Sequence, residues 1–304
     1  MEPHLTFKVR CCEEEVDMIA ITPKELEFDF ESFSPPPKWL IDKTVKVQNW
    51  YFQPTYYWDE RVPLDRAVML VGNHTIFGLA DAPSMINHLY QSKNLFIRGL
   101  GDSINFEQPI WKHLAKWFGT VEGSPENCQQ ILESGQSVLV FPGGAREICK
   151  RKGEQHKIVW KNRTGFARTA IASGCEILPF ASVGPDDMVD ILYDAQDFSN
   201  SFIGKKLLSI PKFNEMTRDG DLFFPISSGI PLTPFAKPEK FYIGFGEPIC
   251  TRKYQGNWQD KSVQWELRER VTDSIEKLMI ELKAIREKDS SSPLRKLLTK
   301  KVKT

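Results

Sequence analysis

The run SVLVFPGGARE, at residues 137–147, restricts the fold of this chain more than any other part of its sequence. Its apolar stretch from Val138 to Phe141 predicts a buried strand that ends at Pro142. Gly143 and Gly144 follow, and because glycine has no Cβ, the backbone N–H groups of such a turn stay accessible to an incoming oxygen atom. The run therefore predicts a strand that ends in a turn suited to an anionic or polarised ligand.

A second predicted strand, from Ala67 to Val71, leads through a Gly-Asn pair to His74. An imidazole at one strand end and an anion-binding turn at another are the minimum groups needed for acyl transfer. A general-base histidine needs a partner for its second ring nitrogen, which fixes the tautomer and stabilises the imidazolium. The sequence offers two carboxylates for this role: Asp81, which could instead cap the next helix, and Glu147.

Strand-like and helix-like segments alternate through the middle of the chain, which predicts an α/β domain with a layered mixed sheet flanked by helices. Strands are expected at residues 67–71, 94–98, 138–141, 177–181 and 241–245. Helices are expected at residues 83–90, 109–118, 125–132, 164–173 and 261–288, with Ser124 and Gly174 as caps. We expect this domain to span residues 61–288, after an N-terminal arm and aromatic lead-in at 1–60 and before a basic tail at 289–304.

The lead-in from Lys38 to Trp58 mixes tryptophan and tyrosine with lysine. That composition is typical of a membrane interface, but it also fits a layer packed on the domain, and the sequence leaves both interpretations open. The tail could likewise settle on an anionic bilayer or remain solvated. No run approaches the ~18 apolar residues of a spanning helix, and no secretory signal is visible at the N-terminus. We expect a peripheral protein on the cytoplasmic side of a membrane, with endoplasmic reticulum, lipid droplet and plastid surface all open.

Composition excludes some classes of function. The 40 basic and 40 acidic residues give a net charge of zero, so no chain-wide affinity for nucleic acid is expected. The six cysteines show no metal-binding spacing, and buried reduced thiols are expected. No GxSxG element is present, which argues against a covalent serine mechanism. A local cluster of basic residues at 150–163 could hold the phosphates of coenzyme A or form a solvated loop.

Four blocks of residues occur in a distinctive order: Asn73 and His74, then residues 96–98 (FIR), then residues 141–148 (FPGGAREI), then residues 177–184 (ILPFASVG). Together they resemble the motif blocks of the glycerolipid acyltransferase superfamily, over roughly residues 65 to 250. Glycine at position 143, in place of the glutamate of the PEGTR form, resembles the diacylglycerol acyltransferase type 2 branch. The runs GNHTIFGLAD, RKGEQHKIVW and FASVGPDDMVDIL are similar to the acyltransferase half of plant phytyl ester synthases. No activity that depends on their other, α/β-hydrolase-like half is expected of these 304 residues.

The resemblance implies a glycerol-3-phosphate acyltransferase-like domain that transfers an acyl group from acyl-CoA, or from acyl carrier protein, to a hydroxyl group. It implies direct transfer with His74 as base, and no cofactor beyond acyl-CoA as co-substrate. Six residues separate His74 from Asp81 where the superfamily pattern has four, so Asp81 and Glu147 both stay candidates for its partner. The residues expected to bind substrate are Asn73, Arg98, Phe141, Pro142, Gly143, Gly144, Arg146 and Pro179.

In the phosphate-acceptor branches of the superfamily, the glutamate and arginine of the PEGTR form belong to the acceptor site. The resemblance, with glycine at position 143, therefore implies a neutral acceptor, such as diacylglycerol, monoacylglycerol or a long-chain alcohol. Three alternatives stay open at this stage. The chain could acylate a lysophospholipid, hydrolyse acyl-CoA or a lipid with water as acceptor, or bind lipid at a membrane surface with impaired chemistry. The sequence gives no information on oligomeric state.

Overall fold

The computed structural model describes residues 6–11, 14–19, 33–78, 80–102, 106, 113–115, 117–218, 220–230 and 235–289, with side chains described from residue 33 onward. Half of the helix expected at 109–118 falls outside these residues, and the tail expected at 289–304 falls outside them except for residue 289.

The central element is a seven-stranded sheet in the order β3-β11-β8-β4-β7-β5-β6. The five strands from β8 to β6 run parallel to one another. Strand β11 pairs antiparallel with β8, and β3 pairs parallel with β11. Two separate antiparallel pairs are formed by β1 with β2 and by β9 with β10. The strands are β1 (Thr6–Cys11), β2 (Glu14–Ile19), β3 (Thr55–Tyr57), β4 (Val68–Gly72), β5 (Ile97–Gly101), β6 (Val121–Glu122), β7 (Ser137–Val140), β8 (Glu176–Val183), β9 (Asp190–Tyr193), β10 (Ile226–Ser228) and β11 (Tyr242–Phe245).

Helices cover both faces of this sheet, which confirms the predicted α/β fold class. The described helices are α1 (Lys38–Phe52), α2 (Ala82–Lys93), α3 (Pro125–Glu133), α4 (Gly144–Ile148), α5 (Gly165–Ser173), α6 (Ala195–Asn200), α7 (Phe202–Leu208), α8 (Pro211–Met216) and α9 (Lys261–Lys288). The predicted caps are confirmed. Ser124 accepts a hydrogen bond from the backbone N–H of Asn127, and Gly174 ends α5 with a φ of 63°.

Strand β4 separates the two halves of the core. All five of its residues are buried, as expected for a parallel strand covered on both faces. Met69 and Val71 belong to the cluster that packs under α5 and α9, and Val68 and Leu70 to the cluster that packs under α2. In the part of the chain that the structure describes, no helix is both long and apolar enough to cross a membrane.

The aromatic lead-in forms α1 and the edge strand β3. Helix α1 buries Ile41 and Val45 and packs on α2, while Trp39 and Trp50 point away from the domain and stay exposed. Because β3 pairs with β11, the sheet includes residues that the sequence assigned to the lead-in.

The cysteines follow the prediction in part. Cys128, Cys149 and Cys175 are free and buried, as expected. Cys250, however, takes part in a disulfide bond, so the expectation of reduced thiols was wrong there.

The parallel pairing decides where the two sequence motifs meet. Val71 of β4 lies beside Val140 of β7, so the segments that follow these strands leave the sheet at the same edge. Crevices outside the carboxyl ends of parallel strands are common ligand sites in α/β proteins. His74 and the glycine turn are therefore neighbours, although more than sixty residues separate them in the chain.

Gly72, the last residue of β4, lies directly beneath the ring of Phe180 on β8. A Cβ at position 72 would overlap that ring, and Phe180 is itself buried without space to move aside.

We therefore expect Gly72→Ala to lower the free energy of unfolding by about 1–3 kcal/mol through overpacking. Gly165→Ala is the matched control, because a Cβ there meets no atom within 4 Å and its φ is not positive. Urea denaturation of the two variants and the wild type checks this. Equal stability of Gly72→Ala and the wild type would contradict the packing described here.

Candidate active site

The imidazole of His74 is enclosed by an aromatic ring and a glycine. It lies parallel to the ring of Phe141, with ring centroids 3.8 Å apart and planes 7° apart. Phe141 in turn contacts the edge of Phe180, at 5.8 Å. A Cβ on Gly78 would overlap Cε1 of His74 and stand 3.0 Å from Nε2, so only glycine fits against that edge of the imidazole.

The His74 imidazole is held in its neutral form. Burial lowers the pKa of His74 to about 3, and the positive charge of Lys150 acts in the same direction. The Nδ1 atom is buried and has no hydrogen-bond partner among the described residues. A neutral imidazole in which one nitrogen has no hydrogen-bond partner can accept a proton at physiological pH.

Lys150 and Asp186 form a buried pair beneath the His74 loop, with Nζ and Oδ2 3.5 Å apart. Asp186 also accepts hydrogen bonds from the backbone N–H of Ile76, at 2.8 Å, and of His156, at 2.7 Å. It therefore joins the His74 loop to the segment that follows α4. Sequence reasoning missed Asp186, whose only signal was its place in the run FASVGPDDMVDIL, and assigned Lys150 to a phosphate-binding cluster.

Asp81 is buried at the start of α2, where its Oδ1 accepts a hydrogen bond from the hydroxyl of Thr75 at 2.9 Å. Burial raises the pKa of Asp81, and the Thr75 hydroxyl opposes that change. Asp81 thus bonds to Thr75, the residue that follows His74, and forms no hydrogen bond with Nδ1 of His74. Asp81 holds the loop in place in this conformation.

Glu147 is fully buried, and its side chain fills the space beside Gly143. A Cβ on Gly143 would overlap the Glu147 carboxyl group, so a side chain at position 143 and this position of Glu147 exclude each other. Burial raises the pKa of Glu147 to about 7, against the charge of Lys150 and the backbone N–H groups of Val159 and His74. Its Oε2 atom has no partner among the described residues.

The glycine turn is rigid and offers one free donor. The N–H of Gly144 donates to the carbonyl of Phe141 at 2.9 Å. Arg163 donates to the carbonyls of Pro142 and Gly143, at 3.1 and 2.6 Å. The N–H of Gly143, a buried residue, has no acceptor within the described residues, so of the two N–H groups considered in the sequence it alone lacks a hydrogen bond there.

Arg146, the arginine of the motif, is buried and already paired. It donates to Glu154 at 2.6 Å and to the carbonyl of Cys149 at 3.2 Å, and it lies 3.4 Å from Asp221. In this conformation, binding of a substrate anion by Arg146 would require these ion pairs to open. Most of the basic cluster at 150–163 also forms ion pairs within the domain. Carboxylates pair with Lys150, Arg151, Lys152 and Lys161.

Three more residues expected to bind substrate have contacts within the domain. Asn73 bridges to β8, donating to the carbonyl of Ser182 and accepting from its N–H, at 3.0 and 2.9 Å. Arg98, whose burial lowers its pKa to about 10, donates to the carbonyl of Gly119 and covers the ring of Phe33. Pro179 lies within β8 beside β4, and its carbonyl accepts from Gly246.

A cleft of about 350 Å³ opens at the carboxyl edge of the sheet, between the ends of β5, β6 and β7. Its walls are largely apolar, and they include the amino-terminal ends of α3 and α5 as well as the arginine that clamps the glycine turn. Its lining includes Leu100, Cys128, Phe141, Arg163, Gly165 and Phe166. Phe141 lines this cleft and also stacks on His74, so its ring connects the cleft to the imidazole, which is not itself part of the lining.

The charge of Lys150 acts on both titratable side chains of the site, and this can be tested. We expect Lys150→Met to raise the pKa of His74 and the pKa of Glu147, because a neighbouring positive charge lowers both in the wild type. NMR titration of the imidazole and carboxyl resonances measures these values, with circular dichroism to check the fold. The control is Lys152→Met, an exposed lysine that pairs with Asp197. Unchanged pKa values in a folded Lys150→Met variant would contradict the arrangement.

Comparison with known proteins identifies the family. A family model described as diacylglycerol acyltransferase matches residues 63–290. The chain is 34% identical over 257 residues to phytyl ester synthase 2, chloroplastic, of Arabidopsis thaliana, which covers 79% of the chain and 35% of the synthase. It is 32% identical over 245 residues to phytyl ester synthase 1, chloroplastic, of the same plant, which covers 72% of the chain and 33% of the synthase. The chain thus spans about a third of the length of these relatives.

Among solved structures, the 1-acyl-sn-glycerophosphate acyltransferase PlsC from Thermotoga maritima matches with 16% identity and a TM-score of 0.48, over 79% of each chain. The sequence matches confirm the resemblance drawn from the four motif blocks. Because the family model spans most of the chain and includes both His74 and the glycine turn, the chain belongs to the diacylglycerol acyltransferase family.

Proposed function

We propose that this chain is an O-acyltransferase that moves a fatty acyl group from acyl-CoA to the hydroxyl of a neutral lipid. The observation that carries the proposal is the neutral, partly enclosed imidazole of His74 beside an apolar cleft at the carboxyl edge of the sheet. Family membership supports acyl transfer to a lipid, and the names of the two plant relatives point to an alcohol as acceptor.

The proposed reaction is a direct transfer. His74 takes the proton of the acceptor hydroxyl while the oxygen attacks the thioester carbonyl, so a C–O bond forms as the O–H bond breaks. The tetrahedral intermediate then expels coenzyme A, breaking the C–S bond. Because the pKa of His74 is lowered to about 3, its imidazolium is a strong acid and passes the proton on to the leaving thiolate.

The N–H of Gly143 is the proposed donor to the oxyanion of the intermediate. It lies on a turn that Arg163 and the carbonyl of Phe141 keep rigid, which suits a preorganised donor. One such donor contributes roughly 3 kcal/mol to transition-state stabilisation. Glu147 has a raised pKa, and its Oε2 atom has no hydrogen-bond partner among the described residues. Glu147, rather than Asp81, is therefore the proposed carboxyl partner of the His74 loop.

A neutral acceptor is the proposal that fits the charges of the site best. Position 143 carries no side chain, and the adjoining space is occupied by Glu147. Arg146 is neutralised by Glu154 and Asp221. A phosphate on the acceptor would therefore have to displace an existing carboxylate, whereas a neutral alcohol or diacylglycerol would not.

A membrane surface is the proposed source of the acceptor. On α1, Trp39 is 60% and Trp50 is 75% exposed, and Lys43 covers the ring of Trp39 at 4.9 Å. Exposed tryptophans interleaved with lysines on a helix whose other side packs on the domain are typical of a protein that lies on a bilayer.

The central test is ester formation from long-chain acyl-CoA by purified protein. Vesicles would offer diacylglycerol, monoacylglycerol, a fatty alcohol, phytol and lysophosphatidate in separate assays. We expect a neutral ester, and we expect His74→Ala to reduce its formation by at least about 10²-fold, since a positioned base contributes ~10² to 10⁴ in rate. His113→Ala, which removes an exposed histidine, is the matched control.

Each departure from that result has a distinct meaning. Phosphatidate as the main product would overturn the neutral acceptor. Free fatty acid formed without any alcohol would identify a thioesterase or hydrolase. A folded His74→Ala variant with full activity would remove His74 from the mechanism.

The cleft beside Phe141 is the proposed site of the donor acyl chain, and Gly165 allows this to be tested. A Cβ there meets no atom within 4 Å, so a larger side chain would extend into the cleft without displacing the protein. We expect Gly165→Leu to shift the preference among acyl-CoA donors towards shorter chains, measured as kcat/KM across a chain-length series. Gly165→Ala is the control. The same preference in both variants and the wild type would exclude the cleft as the acyl site.

A further inference from the structure

The connection between β9 and β10 carries α6, α7 and α8 and returns across the sheet edge; we call residues 195–224 the helical connection. Its outer surface exposes large apolar side chains. Phe202 is 84% and Ile203 is 66% exposed, and Ile210, Met216 and Phe224 are exposed as well. Exposed apolar clusters of this kind mark interaction surfaces, because burying one such side chain is worth about 1.5–3 kcal/mol.

The outward direction of Phe202 and Ile203 is fixed by the packing of α7. Gly204 is buried against the carbonyl of Phe198, which a Cβ at position 204 would overlap. Ser201 caps the helix by accepting from the N–H of Gly204 at 2.9 Å. Because the glycine side of α7 must face α6, the two apolar residues before it face away from the domain.

Residues 202–212 of this surface carry positive charge, and Glu215 is exposed further along the connection. Lys205, Lys206 and Lys212 are exposed, and residues 202–212 contain no acidic residue. None of these three lysines forms an ion pair with another residue that the structure describes. Each basic side chain near an anionic membrane surface adds about 1 kcal/mol of attraction.

Ion pairs tie the helical connection to the candidate active site. Arg218 donates two hydrogen bonds to the carboxylate of Asp102, just after β5, each at 2.9 Å. Asp221 accepts from Arg151 at 3.1 Å and pairs with Arg146 of the glycine-turn motif. The connection therefore crosses the carboxyl edge of the sheet and is fixed there by charge.

An aromatic contact leads from this surface to the His74 loop. The exposed ring of Phe224 lies nearly parallel to that of Phe77, with centroids 6.5 Å apart and planes 18° apart. Phe77 is three residues from His74. The outer surface of the connection and the catalytic loop thus belong to the same end of the molecule.

We propose that the outer face of the helical connection docks on a lipid bilayer that carries anionic headgroups. Phe202 and Ile203 enter the boundary between headgroups and acyl chains, and Lys205, Lys206 and Lys212 contact the anionic groups above it. Docking there brings the mouth of the site to the membrane, where a lipid acceptor can enter beside Phe224. Only this last consequence, for catalysis, rests on the proposed function.

The charge pattern selects a bilayer over a folded protein as the occupant. A short helix with two adjacent apolar residues and clustered lysines presents little area for a specific protein interface, which buries about 800 Å² per partner. The same few residues are sufficient for an interfacial segment, because insertion of apolar side chains and attraction to anionic lipid add to each other.

The test is co-sedimentation of the full chain with vesicles of phosphatidylcholine alone or mixed with phosphatidylserine. We expect stronger binding to the anionic vesicles. Lys205→Glu with Lys206→Glu should weaken it by at least about 25-fold, since each basic residue contributes roughly fivefold. Phe202→Asp with Ile203→Asp should weaken binding to both vesicle types. Ile280→Asp, which replaces an equally exposed apolar residue on α9 (68%), is the matched control.

Wild-type binding by both double variants would overturn the proposal, as would equal losses in Ile280→Asp. A dimer in solution that Phe202→Asp dissociates would also overturn it, in favour of a second copy of the chain. Acyl transfer to a short-chain, water-soluble alcohol should be unchanged in the double variants. If no acceptor is acylated by the wild type but the double variants lose vesicle binding, the proposed function fails while the docking surface stands.

Discussion

The stacking of His74 on Phe141 is the interaction on which the rest of this site depends. It exists because β4 and β7 are adjacent parallel strands, so that the residues after each strand meet at one edge. Behind it, Phe141 rests against Phe180, and Phe180 lies over Gly72, which has no side chain to displace it. The imidazole is thus supported by a continuous apolar column from the sheet. Burial in that column, more than any charge, lowers its pKa and keeps it neutral.

A second constraint is that the charges around this column compensate one another. Lys150 pairs with Asp186, and Arg146 pairs with Glu154 and Asp221, so basic residues that would attract a phosphate in isolation are already neutralised. A buried charge that loses its partner is costly, which makes these pairs a barrier to binding anions. The same pairs give the site its rigidity, because Asp186 fixes the backbone of Ile76 in the His74 loop.

Much of the fold could be predicted from the sequence, because apolar periodicity and caps are local signals. The long helix α9 has the predicted bounds, and Ser124 and Gly174 cap as expected. The pairing partners of charged residues could not be predicted, since they depend on contacts between distant segments. The basic cluster was compatible with phosphate binding or a solvated loop, and the structure shows that Asp221, sixty to seventy residues further along, pairs with Arg151 and Lys161. The helices α6 to α8 were missed because each has only six or seven residues, too short for a clear period.

The measurement that tests this account most directly is the pH dependence of kcat/KM for acyl transfer, which reports the pKa values of the free enzyme. The Glu147→Gln variant should be measured in parallel, because Glu147 has a pKa raised to about 7 and could add a titration of its own. If burial keeps His74 neutral, activity in Glu147→Gln persists well below the ordinary histidine pKa of about 6.5 for as long as the protein stays folded. A loss of activity with an apparent pKa near 6.5 in that variant would contradict the account, since the base would then titrate like an exposed histidine.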